Sequence, residues 1–300
     1  MKNLLEYLPP SMPDTAFIVE DNFLQGLRTK RKGDTFQIVS NFKESFPTPF
    51  SDEWQPIEEI LAPVERMLVA LGNPERASLI LPDSIFRMQV VDIDNYPKEE
   101  TELQKILLWQ ARRTLGHPVE DLRVKHFILE KEANFAKVWL SAAPKEIFNI
   151  FENCFEKFNC HIGFITSPSM ALYDLFKEKG LFSSLSMTLL ISITENSLTF
   201  LFVHKGEPLF FRTKEFKGAY SYLERISQEI KLTLLYQKEQ TSGIPLKKVF
   251  YRVTADGIEF PISEFDEETE IVSIDSLNVL SYEKKMEPPI VLPLLSAVRE

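Results

Sequence analysis

Apolar and polar residues alternate with the same rhythm in two distant parts of this chain. Past its middle the alternation predicts three consecutive strands, 187–193, 197–203 and 208–215, punctuated by Thr194-Glu195-Asn196 and Lys205-Gly206-Glu207. Leu, Ile, Phe and Thr dominate them, as suits half-buried strands. Near the start the same reading gives strands at 16–20, 23–29 and 35–40, with turns at Asp21-Asn22 and Lys32-Gly33-Asp34. The two meanders begin 171 residues apart (187 − 16). A three-strand meander repeated at that distance, with helices between, predicts an α/β chain of two related halves.

Residues 41–55, with Pro47 and Pro49, read as a loop. Ile57, Ile60, Leu61, Val64, Met67, Leu68 and Leu71 recur at three and four, which predicts a helix over 56–71 stopped by Gly72-Asn73-Pro74. Short strands follow at 77–81 and 86–93. A helix over 98–115 carries Leu103, Ile106, Leu107, Ala111 and Leu115 on one stripe, with Glu99, Glu100 and Glu102 at its positive end. Then come strands at 122–130 and 135–142, a helix opened by Pro144, a strand at 161–166 and a helix opened by Ser167-Pro168. The second half adds a helix over 218–240, a strand at 247–253, an acidic loop over 262–270, a strand at 270–274 and a proline-rich tail ending in LLSAVRE.

Composition narrows the chemistry. A hydrophobic content of 44% with 24 Phe supports one large or two modest cores rather than disorder. The net charge of −10 opposes nucleic acid or an anionic membrane acting through the whole surface, and leaves room only for local basic patches such as residues 28–32. Cys154 and Cys160 are too few for a disulfide framework. The four histidines have no partner at zinc-binding spacing, and neither a G-x-S-x-G elbow nor a phosphate loop occurs. No apolar run reaches the roughly 18 residues of a membrane helix. These readings predict a cytoplasmic protein, not itself transmembrane, with no cofactor, metal or nucleic acid. Phe42, Phe46, Phe50 and Trp54 in the 41–55 loop, and Leu108 and Trp109 off the main helical stripe, are candidate partner-binding residues because large aromatic and aliphatic side chains anchor interfaces.

The succession of motifs resembles the PilM family of type IV pilus assembly and, more distantly, the cytoplasmic part of GspL of type II secretion. Leu81-Pro82-Asp83 with Phe86-Arg87 precedes KEETELQKILLWQARRTLGHPVEDL, in which Trp109-Gln110-Ala111 takes the place of the family's W-E-A. Residues 138–172, VWLSAAPKEIFNIFENCFEKFNCHIGFITSPSMAL, follow the family's strand, Ala-Ala-Pro-Lys-Glu helix, strand and Ala-Leu helix, and the tail PLLSAVRE resembles its closing helix. The resemblance implies an actin-like fold: residues 1–74 and 144–182 as the first half, 75–143 as an inserted small α/β subdomain, and 183–300 as a second half with a reduced outer subdomain.

Where PilM-like ATPases place a D-x-G turn after the first strand of each meander, this chain reads Val19-Glu20-Asp21-Asn22 and Thr194-Glu195-Asn196, without glycine. Of the family's glycine-rich adenosine loop, only Gly257 remains, in Val253-Thr254-Ala255-Asp256-Gly257. The expectation is therefore a non-catalytic adaptor at the inner membrane whose phosphate turns, at Asp21, Asn22, Glu195 and Asn196, are degenerate. By resemblance its partner is a PilN-like or GspM-like inner-membrane protein, with the assembly ATPase as a further partner. A PilN-like peptide would sit in a groove between the first meander and residues 75–143. The alternatives are an actin-like ATPase using Asp21 and Glu195 beside a metal, and an FtsA-like scaffold anchored through its tail.

Overall fold

The computed structural model describes residues 13–20, 22–32, 35–46, 57–97, 99–115, 121–216, 222–240, 243–277 and 288–298. The chain forms two compact units. Met1–Pro82, Ile150–Leu172 and Asn278–Glu300 make the first, and Asp83–Asn149 with Tyr173–Leu277 the second.

The first unit is built on β1 (Thr15–Val19), β2 (Phe23–Lys32), β3 (Thr35–Ser45), β4 (Arg76–Ile80) and β8 (His161–Thr166), in the spatial order β3-β2-β1-β4-β8. The first three strands run antiparallel, and β4 and β8 add in parallel. β1 lies at the centre, and its residues 15–19 are all fully buried. That is why the strand reads as an unbroken apolar run rather than an alternation. On one face Phe17 meets Phe155 of α3 (Lys145–Glu156) edge-on, with ring centroids 4.9 Å apart. α1 (Ile57–Ala70) lies against β2 and β3, and Arg66 binds Glu44 through two nitrogens at 3.1 and 2.7 Å. α1 ends where Gly72 takes φ +80° and the Asn73 N–H reaches back to the Leu68 carbonyl, a Schellman close that satisfies the last carbonyls.

Gly26 on β2 is fixed by contact. A Cβ there would stand 2.7 Å from Leu71 Cδ1 and 2.8 Å from the Phe17 ring. Strand preference alone would favour alanine by about 0.5–1 kcal/mol. The overlap reverses the sign, and Gly26→Ala is expected to cost about 1–3 kcal/mol in a urea titration. An unchanged or raised midpoint would show that the sheet yields there.

The opposite face is closed from the far end of the chain. α6 (Pro288–Ser296) and the turn after it bury Ile290, Val291, Leu294, Leu295, Ala297 and Val298 against Ala16, Ile18, Leu27 and Ile80. Ser78 Oγ donates to the Ala297 carbonyl at 2.7 Å, and Ser296 Oγ to the Ala171 carbonyl at 2.6 Å. Two expected boundaries change accordingly. The tail packs in the first unit and not with 183–287, because the apolar groove over β1 and β4 needs a lid. The insertion does not begin at residue 75, because β4 is hydrogen-bonded between β1 and β8. β3 also continues through Ser45, paired to β2 as far as Phe23, so Phe42 stands on a strand instead of in a loop.

The second unit repeats the plan. β9 (Met187–Ile193), β10 (Ser197–His204), β11 (Glu207–Glu215), β12 (Leu246–Val253) and β13 (Glu270–Ser273) take the order β11-β10-β9-β12-β13, with the same directions. α5 (Tyr222–Gln240) contributes Ile226 and Ile230 to the core over β9 and β10. Residues 254–269, between β12 and β13, hold one short 3-10 turn and two rings, Phe260 and Phe265; Phe260 stacks on Tyr251 of β12 at 4.0 Å and on Phe265 at 5.6 Å, over the same core. The unit also carries an antiparallel sheet, β5-β7-β6, of Arg87–Asp94, Phe135–Pro144 and Leu122–Lys131. α2 (Glu100–Leu115) covers one face of it with Leu103, Leu107 and Ala111.

Candidate functional site

The two hairpin bends that follow β1 and β9 are built alike. In the first, the Glu20 N–H donates to the Phe23 carbonyl at 2.9 Å and the Phe46 N–H to the Asn22 carbonyl at 2.8 Å. In the second, the Thr194 N–H donates to the Ser197 carbonyl at 2.9 Å and the Phe216 N–H to the Asn196 carbonyl at 2.7 Å. The four residues Glu20, Asn22, Phe23 and Phe46 thus find counterparts in Thr194, Asn196, Ser197 and Phe216. This pairing of bends, with the matched strand orders, is the physical content of the duplicated meander.

A turn grips a phosphate by pointing unclaimed backbone N–H groups at it. The second bend uses the N–H groups of Thr194, Asn196 and Ser197 internally. Thr194 Oγ1 accepts from the Ser197 N–H at 3.2 Å and from the Asn196 N–H at 3.4 Å, and it lies 3.1 Å from Ser197 Oγ. Thr194 is buried and Glu195 is exposed. In the first bend Glu20 is 4% exposed, which places a carboxylate at the turn in a position where it is turned inward. Asn22 is exposed, and Asp21 lies outside the described residues. Sequence reasoning singled out the missing glycines and missed Thr194. Its signal was a Thr three residues before a Ser, the spacing at which a hydroxyl closes a turn on itself.

The partner candidates separate by burial. Phe46 is 7% exposed and belongs to the core, because its N–H bond to Asn22 folds the chain inward after β3. It is therefore no surface anchor. Phe42 is 36% exposed and pairs with Gly26 on the α1 side of the sheet. Leu108 is half-buried, and Trp109 is 53% exposed with the Arg113 guanidinium 4.9 Å above its ring. Phe50 and Trp54 lie outside the described residues. Leu232, Leu235 and Tyr236 of α5 are also exposed and were not anticipated. The helix instead turns Thr233 and Gln237 inward, where Thr233 meets Arg212, and the Gln237 amide meets the Met187 sulfur at 3.6 Å.

Other chemistry is thin. Among the described residues no group of three or more His, Cys, Asp or Glu is placed to share a metal. Cys154 and Cys160 are buried, and desolvation pushes both thiols up to about 12, far from the thiolate that reactivity requires. His161 is exposed beside Glu156, and His204 Nδ1 lies 3.5 Å from the Ser186 carbonyl. Among the described residues no helix is long and apolar enough to cross a membrane.

No protein-family model matches the chain, and no curated relative does either. Its backbone nevertheless superposes on solved structures. It is similar to a PilM–PilN type IV pilus biogenesis complex, with a TM-score of 0.78 at 12% identity, over 97% of this chain and all of that one. A Bacteroides thetaiotaomicron protein of actin-like ATPase fold and unknown function matches with a TM-score of 0.57 at 13% identity, over 99% and 98% of the two chains. The cytoplasmic domain of EpsL, an inner-membrane component of the Vibrio cholerae type II secretion system, matches at 0.54 and 11% identity, over 95% and 94%. At such identities the likeness speaks for the fold, and the fold is actin-like.

Proposed function

We propose that this protein is a non-catalytic actin-like adaptor of a pilus or secretion machine, held at the inner membrane by the cytoplasmic segment of a PilN-like or GspM-like partner. One observation carries the reading. Within a fold shared end to end with a PilM–PilN complex, the bend after β9 spends its donors on Thr194. Two like charges about 4 Å apart repel by roughly 4 kcal/mol at an effective dielectric of 20, so the exposed Glu195 carboxylate disfavours a phosphate at its own bend, where no glycine is present to cradle one. Phe42 and Leu108 are the proposed partner anchors, each partly exposed on its own unit. Apolar anchors combined with main-chain hydrogen bonds are a common way to hold an extended peptide.

The test is ligand-dependent thermal stability. A PilN-like N-terminal peptide at about a hundred times its Kd should stabilise the fold by about 2.7 kcal/mol. ATP with magnesium should leave the melting temperature unchanged. A shift with ATP and none with peptides of that class would make the protein a nucleotide-driven element.

A further inference from the structure

α2 carries a second surface that the adaptor reading does not use. Its inner stripe, Leu103, Leu107 and Ala111, is at most 2% exposed on the three-stranded sheet. Its outer ridge carries Lys105, Trp109, Arg112 and Arg113, all exposed. Spacings of three and four put these side chains together on one helix face. None of the three cations has an acidic partner among the described residues, although the whole chain has 44 acidic against 34 basic residues. Arg113 lies over the Trp109 ring and holds the indole on the ridge. The acidic Glu100 and Glu102 stand in the first turn, while Lys105 follows in the second and Arg112 and Arg113 close the last.

We infer that this ridge docks on the anionic phospholipid surface of a membrane. An indole flanked by long cations that have no acidic partner among the described residues matches a headgroup layer: the ring seats at the polar–apolar boundary and the cations reach phosphates around it. Cations on flexible stems suit a fluid set of phosphates better than a fixed register of acceptors. Ile128, on the sheet beneath α2, is a further exposed apolar residue. It pairs with Val138 on the sheet face that α2 covers and is 42% exposed. The inference rests on the adaptor reading only for the presence of a membrane, not for the lipid chemistry.

The experiment is flotation of the full chain with vesicles of phosphatidylcholine alone or mixed equally with phosphatidylglycerol. Binding is expected only to the mixed vesicles and should fall with added salt. Reversing the three cations (K105E, R112E and R113E together) should weaken it by about a hundredfold, since each cation near an anionic leaflet is worth roughly fivefold. Trp109→Ala should cost roughly tenfold through lost apolar contact. Equal binding to neutral vesicles, an unaffected triple variant, or no binding at all would overturn the inference. So would wild-type capture of an acidic peptide through these residues without any lipid response. The triple variant is also titrated with the PilN-like peptide. Peptide binding without vesicle binding by the wild type sinks the lipid inference and leaves the adaptor reading standing, and the reverse result does the opposite.

Discussion

A chain ending at residue 287 will fail to assemble its first sheet. The segment removed contains Ile290, Val291, Leu292, Leu294, Leu295 and Val298, each at most 4% exposed. Burying one such side chain stabilises by about 1.5–3 kcal/mol, so six sum to about 9–18 kcal/mol as an upper estimate. Whole domains have only about 5–15 kcal/mol in hand. Loss of the lid also strips the partner from Ser78, whose hydroxyl donates to Ala297 inside the core. Leu294→Ala, a milder version, should cost about 2–5 kcal/mol. Amide hydrogen exchange reads both outcomes directly. If the β1 and β4 amides stay protected in the shortened chain, α6 is an ornament and the account of the first unit is wrong.

Trp139 should show two opposite faces of one side chain. It is 1% exposed on β7, between Val90 and Phe127 in register, with the Phe127 ring 6.4 Å away. Trp139→Ala removes the largest buried side chain of the unit and should cost about 3–5 kcal/mol. Trp139→Phe should cost far less. The indole Nε1 is buried with no hydrogen-bond partner among the described residues, and a buried donor left unpaired costs about 1–3 kcal/mol. Removing it offsets much of the packing lost with the smaller ring. Urea unfolding followed by far-ultraviolet circular dichroism separates the variants. Equal damage from Phe and Ala would mean that the N–H is satisfied in solution.

The helices and most strands were legible because their apolar residues recur at the right period, and period depends only on neighbours along the chain. α1 shows this: Ile60, Val64, Met67, Leu68 and Leu71 are the buried set. Period fails where the partner decides. α5 has two apolar faces, and the sequence cannot rank them. Arg212 and Met187, on other strands, favour the face with Thr233 and Gln237 and leave Leu232 and Leu235 in solvent. Residues 262–270 read as an acidic loop, yet Phe265 stacks on Phe260, which stacks on Tyr251, and the three rings cover the core between β12 and β13 without a helix. β3 gained five residues over its expected end because β2 offers unpaired backbone as far as Phe23, a fact of pairing and not of propensity.

The candidate site divides in the same way. The absent glycines of both bends are a matter of residue identity, and so is the cluster of cations around Trp109. That Thr194 occupies the bend's own N–H groups, that Phe46 is core, and that Trp109 faces outward are matters of position.

By itself the amino-acid order determined two repeated meanders, an α/β class, the helical stripes and the absence of glycine from both bends, since each depends on local period or on what one residue can do with its own backbone. The tertiary structure alone decided that residues 288–298 close the first sheet, that β4 lies inside it, and which face of α5 meets water. Those choices compare contacts between residues far apart in the chain, and burial energy is counted only after the chain has brought them together.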